Sequence, residues 1–74
     1  MIGKLFLHGN IIGNVRILSQ QGNEIIIELQ TPVSDDEIYQ IQIGEDQYNL
    51  EFTQIDVNFQ ENQPVRCQAR GFIF

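Results

Sequence analysis

Ile11-Ile12-Gly13-Asn14-Val15-Arg16-Ile17-Leu18-Ser19, then Gln20-Gln21-Gly22-Asn23, then Glu24-Ile25-Ile26-Ile27-Glu28-Leu29-Gln30: this stretch decides the fold. In an extended chain successive side chains point to opposite faces, so Ile11, Val15 and Ile17 share one face and Asn14 and Arg16 the other. On the return, Ile25, Ile27 and Leu29 point inward while Glu24, Glu28 and Gln30 point outward. Between the two runs, Gly22 and Asn23 tolerate positive φ and form a turn. The reading is an antiparallel hairpin. Composition agrees, with twelve isoleucines and a single alanine. β-Branched side chains lose rotamer freedom in a helix but pack well on a pleated surface.

The same two-residue rhythm extends outward from the hairpin. Thr31 to Glu37 is a loop, because Pro32 removes a ladder donor and Asp35-Asp36-Glu37 would repel on a strand. Ser34 and Glu37 have the spacing of a helix capping box, yet Ile38-Tyr39-Gln40-Ile41-Gln42-Ile43 alternates, which makes a strand. Gly44 to Gln47 turns the chain into a long strand from Tyr48 to Phe59. That strand changes phase: Tyr48, Leu50 and Phe52 are even, Ile55, Val57 and Phe59 odd. An extra residue near Thr53-Gln54 reconciles them, so the sequence predicts a β-bulge there. Gln60 to Pro64 is the last turn, and Val65 to Phe74 places Val65, Cys67, Ala69 and Ile73 opposite Arg66, Gln68 and Arg70. Five to six strands with short turns and no long helix predict an all-β fold. We expect one small antiparallel β-barrel domain spanning residues 1–74, of SH3-like or OB-like size.

Size and charge then bound the function. A chain of 74 residues buries only about 60–65% of its unfolded surface and has no room for separate substrate and cofactor domains. No apolar run reaches the ~20 residues of a membrane-spanning helix, and Met1 to Leu7 is too short for a signal peptide's apolar region. One cysteine makes no internal disulfide, which points to a reducing, cytoplasmic setting. The net charge is −6, from ten acidic and four basic residues. Nucleic-acid binders and proteins of anionic membranes draw affinity from basic stripes, and none is present. The expected partner is a protein.

Catalytic chemistry has few carriers here. His8, the single histidine, sits in a His8-Gly9-Asn10 turn with no partner at catalytic spacing. Cys67 belongs to the apolar face of the last strand and reads as a buried, inert thiol. Asp35-Asp36-Glu37 lacks the alternate ligand spacing and mid-loop glycine of a calcium loop. The sequence therefore predicts no catalytic residue, metal or cofactor, and no enzyme.

The segment Gly13 to Gly22, with Ser19 and Gly22 in Ser-x-x-Gly spacing, resembles the hairpin of PilZ domains. It precedes an apolar strand, the Thr31-Pro32-Val33 loop and a closing Arg70-Gly71-Phe72-Ile73-Phe74, as in that family. The resemblance implies a small β-barrel of five to six strands and, were a ligand site of that type present, Arg16, Ser19 and Gly22 as its residues and cyclic di-GMP as its ligand. Ile17 stands where the family has Asp or Asn, and Lys4 with His8 is the nearest match to its arginine pair. The helix that follows the family's barrel has no counterpart in these residues. The resemblance thus implies a degenerate, PilZ-like member that acts through protein contacts.

Three functions follow in order of expectation. The first is a non-enzymatic interaction module that docks on another protein or on itself, because alternation leaves Ile12, Leu18, Ile26, Phe72 and Phe74 off the core side. The second is a small acidic inhibitor of phage-encoded type that mimics nucleic acid and covers a basic groove. The third is a cyclic di-GMP sensor.

Overall fold

A computed structural model describes all residues from Met1 to Phe74. The two-residue alternation forms six strands and no helix: β1 (Ile2–Leu7), β2 (Asn10–Gln21), β3 (Glu24–Leu29), β4 (Ile38–Ile43), β5 (Asp46–Asn58) and β6 (Arg66–Ile73). They close into a barrel in the order β1-β2-β3-β6-β5-β4, every neighbouring pair antiparallel. The turns use the residues their geometry demands. His8 and Gly9 both take positive φ between β1 and β2, as do Gly22 between β2 and β3 and Gly44 between β4 and β5. Such turns match the right-handed twist of the flanking strands. The chain from Thr31 to Glu37 is the predicted loop, and the capping-box spacing of Ser34 and Glu37 starts no helix.

The core is the inward row of each strand. Leu5, Val15, Ile25, Ile27, Leu29, Tyr39, Ile41, Leu50, Phe52, Cys67, Ala69 and Ile73 are its buried members. Tyr39 and Phe52 meet edge to face, with centroids 5.2 Å apart and planes at 62°. The Tyr39 hydroxyl, buried with its ring, accepts the Ser34 backbone N–H at 2.9 Å and so ties the loop to the core. Burying each large side chain contributes about 1.5–3 kcal/mol.

Three bulges adjust which residues face inward. The predicted one is present: Phe52 pairs with Gly71 and Gln54 with Arg70, leaving Thr53 as the extra residue. Its hydroxyl donates to the Arg70 carbonyl at 3.3 Å. Two further bulges lie in β2, at Ile12 opposite β1 and at Leu18 opposite β3. The Ile12 bulge corrects the sequence reading. Ile11, assigned to the core face, is 58% exposed, while Ile12, assigned to the outside, packs against the core. A second correction concerns the end of β5. Val57 and Phe59 share the phase of the interior, but they are 51% and 79% exposed. The β4 ladder stops at Glu51, so β5 runs past the rim of the barrel with nothing to cover those two side chains.

Closure also needs two residues without side chains. A Cβ on Gly71 would overlap the Glu51 carbonyl, and one on Gly3 would lie 2.9 Å from the Gln42 carbonyl oxygen. Gly13 has open space and no positive φ. Gly71→Ala should therefore cost about 1–3 kcal/mol in urea denaturation, as overpacking does, while Gly13→Ala should change stability by less than about 1 kcal/mol.

Candidate interaction surface

Because the strands alternate, every inward row implies an outward one. Reading laterally across the ladders, Ile38 lies opposite Glu51, Glu51 opposite Phe72, and Phe72 opposite Glu24. A second outward row runs Ile11, Phe6, Gln40, Asn49. Phe74 extends it, since Asn49 and Phe74 exchange both backbone hydrogen bonds at 3.1 and 3.0 Å. Phe72 and Phe74 stand two residues apart on one outer face and are 45% and 62% exposed. Ile26 faces outward beside them, opposite Arg70, and Leu18 projects from its bulge next to the Ser19–Ile26 pair. The predicted surface residues Leu18, Ile26, Phe72 and Phe74 are thus on the outside, and Ile12 is not. Phe6, Ile11 and Ile38 join this exterior without having been singled out from the sequence. Ile38 was legible, being out of phase with Tyr39, Ile41 and Ile43.

Carboxylates punctuate this face but do not gather into one. Glu24 and Glu51 flank Phe72, and Glu24 Oε1 lies 4.0 Å from Arg70 Nε. Glu28 stands on a different part of the wall opposite Arg16, Asp35 and Asp36 belong to the β3–β4 loop, Glu45 to the β4–β5 turn and Asp46 to the start of β5.

The largest depression is a cleft of about 480 Å³ lined by Gly13–Arg16, Glu28–Thr31, Ile2 and Arg66. Arg16 is therefore in a cleft, while Ser19 and Gly22 line none. Ser19 is three residues further along β2 and Gly22 occupies the β2–β3 turn, so the structure does not bring the three together there. Glu28 supplies a carboxylate among the cleft's two guanidinium groups.

The remaining reactive groups have structural settings. His8 is in the β1–β2 turn, exposed, with Nε2 3.4 Å from Glu37 Oε2. No three His, Cys, Asp or Glu side chains converge in metal-binding geometry. Cys67 is fully buried. Desolvation pushes its thiol pKa up, a hydrogen bond from the Val33 backbone pulls it down, and the negative charge of Asp56 raises it further; the net direction is upward.

No family profile, characterised protein or solved structure matches the chain.

The Cys67 thiol should be inert to disulfide reagents in the folded protein and react in denaturant. A folded pKa raised above the unfolded one means the native state holds the proton longer. The stabilisation is complete below the unfolded thiol's pKa and is lost as pH rises through the folded value. Urea midpoints should fall in that alkaline window, and Cys67→Ala should flatten the fall.

Proposed function

We propose that this barrel is a non-enzymatic interaction module that docks another protein on the outer face carrying Phe72 and Phe74. The observation that supports it is two exposed aromatic side chains, Phe72 on the outside of β6 and Phe74 just past its end, with Ile38 and Ile26 on the same exterior. Aromatic anchors of this kind dominate binding energy at protein interfaces. Glu24 lies beside Arg70, so Glu51 next to Phe72 defines the partner's chemistry: an apolar centre with a lysine or arginine at its edge. A second copy would bring one chain of net charge −6 against another, which favours a different protein over self-association. The acidic-inhibitor reading receives less support, because the carboxylates are spread over the hairpin, the loop and the β4–β5 turn.

Affinity purification from the native cell, wild type against the double variant F72K/F74K, tests the reading. Both phenylalanines are exposed, so the variant should keep its thermal midpoint. It should lose a partner that the wild type retains in fixed stoichiometry, with binding weakened by more than about 30-fold, the effect of removing a hot spot. Identical recovery with both proteins, or a wild type that is monomeric and alone, would count against the proposal.

A further inference from the structure

The closed barrel leaves part of β5 as an open edge. β5 pairs with β4 only from Asp46 to Glu51, and with β6 from Leu50 to Asn58. Beyond Glu51, one side of β5 therefore faces no strand, and no backbone hydrogen bond outside the ladders reaches that stretch. The β3–β4 loop makes no backbone hydrogen bond to it. Val33 packs against the core and bonds to Cys67, which pairs with Val57, while Glu37 is held to His8 in the β1–β2 turn.

An exposed edge is a row of unpaired N–H and C=O groups, and proteins usually blunt it with charged residues, proline, a bulge such as the one at Thr53, or a covering element. Here Gln54-Ile55-Asp56-Val57-Asn58-Phe59 has neither lysine nor proline, and Thr53, Gln54, Asp56, Val57 and Asn58 are all exposed. The two rows beside the edge differ in chemistry. Val57 and Phe59, in phase with the interior but past its rim, offer an apolar shelf. On the other row, Asp56 stands between the amides of Gln54 and Asn58.

We propose that the free edge of β5 from Thr53 to Asn58 is a strand-addition site for an extended segment of another protein. About five residues fit, over ~17 Å. The added strand would set apolar side chains over Val57 and Phe59 and a lysine or arginine beside Asp56, while backbone bonds supply the affinity. Charge selects this occupant over a second copy, which would bring one −6 chain against another. The site deepens the interaction reading but uses a surface other than Phe72 and Phe74.

The test is titration of the isotopically labelled chain with an eight-residue synthetic peptide alternating valine and lysine. Two controls accompany it, a peptide of the same composition without alternation and one N-methylated at every second backbone nitrogen. Saturable amide shifts confined to residues 53–59, slowed hydrogen exchange there, and loss of both with either control are expected. Asp56→Lys should weaken binding roughly two- to fivefold, and F72K/F74K should leave it unchanged, which separates this site from the other face. Equal binding by the N-methylated peptide, or no saturable shift at millimolar peptide, would overturn the proposal. So would a free protein whose 53–59 amides are already protected in a sedimenting dimer, because the edge would then belong to a second copy.

Discussion

Where β5 crosses β6, the Glu51 carbonyl comes so close to Gly71 that no side chain could stand there. One residue further along β5, the interior fills with Phe52, the largest fully buried side chain, and then Thr53 is extruded as a bulge. Glycine, aromatic and bulge act together. The glycine lets the strands approach, the ring occupies the space on the inner side, and the extra residue bends β5 so that the sheet can return on itself. Gly3 allows the equivalent approach between β1 and β4 at the seam where the barrel closes. A sheet of six short strands has a narrow interior, and small residues at its tightest points are how the curvature is accommodated.

The same constraint governs the exterior. An interior that admits only a dozen buried side chains leaves the remaining large apolar residues outside. Each bulge shifts a strand's phase and decides which ones those are. Ile11 is expelled because Ile12 takes the place against the core. Val57 and Phe59 remain outside because β5 outlasts its neighbour β4. The interaction face and the open edge are therefore consequences of how the barrel is closed, and the interaction face is held on β6, whose inner side is fixed by the packing of Cys67, Ala69 and Ile73. That rigidity suits docking, since little conformational freedom remains to be lost on association.

Much of this was legible in the sequence, and the failures have definite causes. The hairpin, the loop and the strands followed from alternation, and the Thr53 bulge from the jump between even Leu50 and Phe52 and odd Ile55 and Val57. The bulges at Ile12 and Leu18 were hidden because adjacent residues, Ile11-Ile12 and Ile17-Leu18, are apolar in both phases and mask a shift of one. Val57 and Phe59 were read as core because periodicity reports a residue's face but not where the neighbouring strand ends. Pairing of β1 with β4, and of β3 with β6, joins segments far apart in sequence and leaves no local signal. On the surface, Phe72, Phe74, Ile26 and Leu18 were found by the same alternation that found the core. The open edge required the register of three strands and so was invisible.

Interstrand nuclear Overhauser effects on the labelled protein address the closure directly. The account predicts cross-strand contacts for Leu5 with Ile41 at the seam, and for Phe52 with Gly71 followed by Gln54 with Arg70 across the bulge. Absence of any β1–β4 contact, or a straight register that pairs Thr53 with Arg70, would contradict it.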